Sequence, residues 1–294
     1  MLAHLELRVT YLPVITMLAT GDSCGFGMVQ RPRSIGLFLV PNFSMLAFSS
    51  TVEPLRSANR VANRDLYQWT LYSADGSPVT ASNGVDVVVD APFSAAAQLD
   101  MAIVCAGVGV QRQDHSALIT TMRRLTAFGS TIGAVCTGTY VLAKAGLLDG
   151  YCATVHWENL SSLHAEFRGI EIVQELFRID GNRYTCAGGT AAIDMMLAVV
   201  RRHHGEQLVS AVTDQLIHHR TREASERQRM ELRSRLGISH PKLCKIIQAM
   251  EESTENPLSC AQLAYVGGLS VRQLERLFSQ YVGETPRRYY LRVR

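Results

Sequence analysis

The chain is predicted to be an α/β protein, a parallel sheet covered by helices, followed by a small all-α domain. Three observations carry this. Short unbroken apolar runs such as "SIGLFLV" (34–40) mark strands buried on both faces. These runs alternate with stretches of helical periodicity, the pattern of a parallel sheet with crossover helices. Residues 242–294 show only helical periodicity and cap signals. With 294 residues, 47% of them hydrophobic, and a mean hydropathy of +0.05, the chain can bury one large core and a smaller one.

Taken in order, residues 34–40 form the first strand, ended by Pro41-Asn42. Leu46, Val52, Leu55 and Ala58 then line one face of a helix over 45–62. Residues 67–73 are a strand closed by Asp75-Gly76. Residues 79–81 and 85–89 are a hairpin across Ser82-Asn83-Gly84, Asn-Gly being the strongest short hairpin signal. Residues 101–104 are a buried strand, and the "CAGVGVQ" that follows is a glycine-containing loop at a carboxyl end, where open α/β sheets place ligands. A helix over 116–128 and a strand over 131–135 come next. Beyond them lie a helix over 158–167, a strand starting at 172–173, and a hairpin of 177–179 with 184–186 over Gly181-Asn182. A helix opens at the glycines of "CAGGTAAIDMM" with Ile193, Met196, Leu197 and Val200 inward, and a last body helix runs from 206 to about 219. Residues 221–241 are charged and lack an apolar stripe, which marks an interdomain linker.

"GAVCTGTYVLAKAGLLDG" reads as a strand, a sharp turn at Cys136 and a helix over 137–145, the arrangement of a nucleophile elbow. Twenty residues on, "ATVHWE" places His156 at the end of a short strand. Cys136 and His156 fit a nucleophile and base, or the lining of a pocket with Thr137. His203-His204 and His218-His219 are adjacent on helices and diverge by about 100°, so they read as solvated surface and not as metal ligands. Cys105, Cys152 and Cys186 read as small buried hydrophobes.

In the tail, Leu243, Ile246, Ile247 and Met250 pack one side of a helix over 242–253. Ser259 is an N-cap before Leu263 and Ala264, Gly267 and Gly268 form the turn, and Ser270 with Gln273 makes a capping box. The second helix has Leu274, Leu277 and Phe278 inward. Arg272, Gln273 and Arg276 lie on the opposite side, long enough to reach phosphates and base edges in a major groove. Charge agrees: residues 221–294 hold 13 Lys/Arg against 8 Asp/Glu, while residues 1–220 hold 16 against 18. A basic tail on a mildly acidic body suits a phosphate-bearing partner at one end.

Seven cysteines without a CxxC pair argue for a reducing cytosol, with neither a disulfide framework nor a zinc module. No run of about 18 apolar residues exists, which excludes a membrane-spanning helix. Residues 1–33 carry no convincing signal-peptide pattern and are expected to be a disordered extension, with Met28 an alternative start.

The tail, from Ala264 through Gly268 to Leu274 and Leu277 and on into "FSQYVGETPRRYY", resembles the first helix-turn-helix of the AraC/XylS transcription regulators. In that family a linker helix leads to a second helix-turn-helix, which is missing from a sequence that stops at Arg294. The elbow, His156 and "AGLLDG" resemble the class I glutamine amidotransferase-like superfamily in its PfpI-type branch. This implies a flavodoxin-like sheet and an acidic residue, here Glu53, reaching the cysteine. Together with "HWE", "YTCAGGTAAIDMM" and "RLGISHPKL", the two halves are similar to the GlxA-type subgroup. That resemblance implies a DNA-binding regulator rather than an enzyme, with no cofactor and with catalysis by Cys136 and His156 lost. Residues 34–220 would be the ligand-sensing and dimerisation domain, 221–241 the linker and 242–294 the DNA-binding domain. The effector would be amino-acid-derived or a quaternary ammonium, bound by Glu53, Cys136, Thr137, His156, Trp157 and Phe43. Ser270, Arg272, Gln273 and Arg276 would meet DNA, and RNA polymerase is a further implied partner. The alternative is a cysteine-dependent amidase or peptidase-like hydrolase.

Overall fold

A computed structural model describes residues 31–228, 240–253 and 256–293. The predicted N-terminal extension, with Met28, and most of the predicted linker lie outside the described residues.

The body is a seven-stranded sheet with helices on both faces. In chain order the strands are β1 (Arg33–Leu39), β2 (Tyr67–Ser73), β3 (Val79–Thr80), β4 (Asp86–Val87), β5 (Ala91–Pro92), β6 (Met101–Cys105), β7 (Thr131–Val135), β8 (Cys152–Ala153), β9 (Glu171–Ile172), β10 (Phe177–Asp180) and β11 (Arg183–Cys186). The helices are α1 (Met45–Ala62), α2 (Ser116–Ala127), α3 (Gly138–Lys144), α4 (Leu160–Glu166), α5 (Ala191–His204) and α6 (Glu206–Leu216). The sheet order is β10-β11-β7-β6-β1-β2-β5, parallel except for the β10–β11 pair. Its five central strands follow the flavodoxin-like 2-1-3-4-5 order, with the switch point between β1 and β6.

The central strands are apolar on both faces, as their runs predict. Ile35, Leu37 and Ile103 belong to the core under α1, α5 and α6. Phe38, Ala102 and Val104, one residue out of phase, belong to the core under α2, α3 and α4.

Some expectations need correction. The β3–β4 hairpin is only two residues a side, Val79 with Val87 and Thr80 with Asp86, and Val85 and Val88 are exposed. The pairing is short although Val79, Ala81 and Val89 turn one face into the core. Ile193 is only partly buried, while Met195 and Asp194 turn fully inward. The last body helix ends at Leu216, with Ile217 left-handed at φ 54°. His203 and His204 are not solvated: His203 Nδ1 lies 3.1 Å from the Tyr67 hydroxyl, and His204 meets the Tyr67 ring edge-on. Burial pushes His203 down to about 4. The two rings also meet each other, their centroids 6.1 Å apart; sequence spacing could not see β2 closing over them.

Asp194 has no exposed surface, and its carboxylate is saturated by the chain that follows α6. It accepts from the Arg222 backbone N–H at 2.8 Å, from Arg222 Nε at 2.9 Å and from Nη2 at 2.6 Å, and faces His218 Nε2 at 3.0 Å. Farther on, the Leu176 N–H donates to the Ala224 and Glu226 carbonyls, and Gln228 Nε2 donates to the carbonyls of Val155 and Glu175. Residues 218–228 therefore form a strap laced onto the body, although their charge suggested solvent.

The tail has four helices: α7 (Pro241–Glu252), α8 (Cys260–Gly267), α9 (Val271–Tyr281) and α10 (Pro286–Val293). Leu243, Ile246, Ile247, Met250, Leu263, Ala264, Leu274 and Phe278 make their shared core. A Cβ on Gly267 would stand within clashing distance of Ile246 Cδ1, so glycine permits the close crossing of α7 and α8.

Candidate functional site

The candidate site lies at the carboxyl ends of β6, β7 and β11. Cys105 and Cys186 stand level with Val135 on either side, so Cys136 emerges between them one residue later. Its φ is 58°, the left-handed region, a conformation costing on the order of 1–3 kcal/mol for a non-glycine residue. Two neighbours hold it there. The Cys136 N–H donates to the Cys186 carbonyl at 3.0 Å, and Gly188 packs so closely that a Cβ on it would lie 2.7 Å from Cys136 Cβ. The Thr137 hydroxyl donates to the Gly107 carbonyl at 2.6 Å, tying the elbow to the glycine loop after β6. That loop is itself bridged to the end of β1 through Phe43 and Gly107. The elbow and the switch point are thus one continuous hydrogen-bonded rim.

Burial dominates the electrostatics. It pushes the Cys136 thiol up to about 11, against the Thr137 N–H aimed at the sulfur, and the Glu158 carboxylate raises it further. Burial also lowers His156, which Glu158 raises less. Near neutral pH the pair is therefore a thiol and a neutral imidazole. No hydrogen bond joins Cys136 Sγ to His156 among the described residues; His156 Nδ1 instead lies 3.9 Å from Glu158. An activated dyad would need the opposite shifts and a direct contact.

The other sequence candidates divide. Trp157 follows His156 in a 3-10 turn, is 37% exposed, and its ring centroid lies 5.5 Å from that of His156. Phe43 is fully buried, edge-on to Phe48, so it presents no face to a ligand here. Glu53 does not hydrogen-bond Cys136: Arg56, three residues on, takes both its oxygens, with Nη2 at 2.7 Å. A near-neighbour arginine on the same helix outcompetes a distant thiol. The residue sequence reasoning missed is Glu158, the acid that acts on both Cys136 and His156. Its signal was present in "HWE", two positions after the histidine. Among the described residues, no cluster of three His, Cys, Asp or Glu side chains could hold a metal ion.

In the tail both helices of the helix-turn-helix begin with a capping box. At α9, Ser270 Oγ accepts from the Gln273 N–H at 3.3 Å, and Gln273 Oε1 accepts from the Ser270 N–H at 2.8 Å. The Gln273 amide oxygen is thereby engaged at its own helix end. Arg272 and Arg276 are exposed on the outer face.

Residues 34–202 match the DJ-1/PfpI family. Over 265 residues the chain is 43% identical to the HTH-type transcriptional regulator GbdR of Pseudomonas aeruginosa, covering 90% of this chain and 72% of GbdR. It is 37% identical over 268 residues to the HTH-type transcriptional regulator GlxA of Rhizobium meliloti, covering 91% and 81%. The chain belongs to the GlxA/GbdR-type HTH transcriptional regulators and carries a DJ-1/PfpI domain. The crystal structure of an AraC family transcriptional regulator from Pseudomonas putida superposes on this regulator with a TM-score of 0.58 at 29% identity, covering 63% of this chain and 100% of that one. The similarity to GbdR and GlxA extends beyond the body, so the two-part reading of this regulator rests on whole-chain likeness. No helix among its described residues is long and apolar enough to cross a membrane.

Proposed function

We propose that the protein is a DNA-binding transcription regulator of the cytoplasm. In this reading its body, residues 34–220, dimerises and holds a cationic amino-acid-derived or quaternary-ammonium effector beside Cys136. Residues 242–294 are the DNA-binding part, with 221–241 between them. The observation that carries the effector class is the composition of the rim: a neutral thiol and imidazole, one half-exposed indole and the Glu158 carboxylate. An aromatic face beside a carboxylate favours an organic cation through cation–π attraction and charge together. Glu158 replaces Glu53 as the anchoring acid, with Trp157, His156, Cys136 and Thr137 around it. Ser270, Arg272 and Arg276 face DNA, and Gln273 serves as their cap. Cys136 lines the pocket and does not act as a nucleophile. RNA polymerase is the partner through which promoter occupancy would be read.

Calorimetric titration of the chain with glycine betaine, carnitine and arginine tests the pocket. Saturable heat with one of them, lost in Glu158→Gln and Trp157→Ala, is the expected result; athermal, non-saturating traces with all three reject the cationic effector. A gel shift on the gene's upstream promoter DNA should show retention that weakens as salt rises.

A further inference from the structure

The outer face of α9 carries three charged side chains, Arg272, Glu275 and Arg276, at relative positions i, i+3 and i+4. All three are exposed, and none makes a hydrogen bond or ion pair among the described residues. An Arg and a Glu three apart lie within pairing distance on a helix, and here the two stay apart. Elsewhere on this chain that chance is taken. Glu53 holds Arg56 across one turn, and Glu284, next to α10, holds Arg292 at 2.6 Å and meets Arg288 at 3.9 Å. The α9 face thus presents three unsatisfied charges where a helix-turn-helix presents its reading surface. Gln273, the other long polar side chain at this end, is committed to the capping box.

Charge and spacing define what they fit. A guanidinium forks onto the O6 and N7 of guanine, and a carboxylate accepts from the N4 amino group of cytosine. Four residues of helix advance about 6 Å, close to two base steps of roughly 3.4 Å each. Arg272 and Arg276 therefore match guanines two steps apart, and Glu275 falls between them. A carboxylate near DNA is repelled by phosphates, so its place in the middle of this face favours a base amino group as its partner.

Resting on the reading of the chain as a DNA-binding regulator, we infer that α9 reads a three-base-pair G·C element. Arg272 and Arg276 each take one guanine, and Glu275 accepts from the N4 amino group of a cytosine in the pair between them. Specificity at these three positions comes from α9, while the exposed Arg287 of α10 lies outside that face.

The test is selection of duplexes from a randomised library by the intact chain, followed by anisotropy titration of the selected duplex. The expected consensus holds two guanines flanking one pair with a cytosine. Arg272→Ala and Arg276→Ala should each weaken binding about tenfold to a hundredfold on that duplex, and lose discrimination only at their own position. Glu275→Gln should relax the central pair alone. Unchanged thermal melting of the three variants confirms that none has lost its fold. Retention of DNA at about 50 mM salt with no guanine preference, with an adenine selected at the centre, or with equal loss on every sequence in both arginine variants overturns the inference alone. Failure to retain any duplex at that salt overturns the DNA-binding reading and the inference with it.

Discussion

Two charged regions of this chain stand in opposite states. Around Asp194 a buried carboxylate has every oxygen engaged by Arg222, His218 and a backbone N–H. On α9 the charges of Arg272, Glu275 and Arg276 stand in solvent with no partner among the described residues. The difference separates charge that builds the fold from charge kept available for another molecule. A buried ion must be matched within the chain, because desolvation costs several kcal/mol per ion. An exposed ion faces no such demand, because water solvates it and leaves it open to a partner of opposite charge.

The largest break in that contrast should come from Asp194→Ala. It leaves Arg222, 27% exposed, without its counter-charge, and is expected to cost about 3 kcal/mol, the lower end for a broken buried pair. Urea unfolding followed by circular dichroism measures it, and a loss under 1 kcal/mol would mean the clamp is ornamental. Gly188→Ala comes next, at about 2 kcal/mol, since the new methyl meets Cys136 Cβ in a backbone with φ of 91°. In the same unfolding assay this variant should also soften the strained turn and raise Cys136 reactivity. With the native chain, iodoacetamide should alkylate Cys136 far more slowly than free cysteine at pH 7. A thiol pushed up to about 11 gains thiolate tenfold per pH unit until that value, so the rate should climb through pH 9–10 without levelling. A plateau below pH 8 would reveal an activated nucleophile. The same shift makes Cys136 favour the folded state at low and neutral pH, and that contribution fades as pH rises from the unfolded thiol value toward 11. The smallest effect belongs to the other side of the comparison. Arg272→Ala, Glu275→Gln and Arg276→Ala should each change stability by less than about 0.5 kcal/mol.

How much of this was legible in the sequence follows from the range of the interactions. The α1 span, the elbow at Cys136 and both helices of the helix-turn-helix are set by contacts a few residues apart. Ser270 with Gln273, or a cysteine between an apolar run and a helix, therefore announces them. The same short range left Gln273 with two roles, a cap and a DNA contact, and its oxygen makes the cap. Glu53 was misplaced because the competing partner, Arg56, sits one turn away, while the resemblance pointed to the more distant Cys136. Phe43 offers an aromatic ring in the sequence, yet that ring is buried and sealed against Phe48. The Asp194 clamp joins positions 28 residues apart, and only three-dimensional packing brings Arg222 there. Glu158 shows the converse, a local residue whose role appears only when the field on Cys136 and His156 is known.

The strap is laced to the body as far as Gln228. Among the described residues its final anchor includes the Val155 carbonyl, immediately before His156, so the strap closes beside the candidate site and not at the end of the last body helix. About a dozen peptide steps remain before His240, which limits the span to roughly 40 Å. Gln228 and His240 can therefore part by no more than that reach, and any shift at Val155 moves the point from which it is measured.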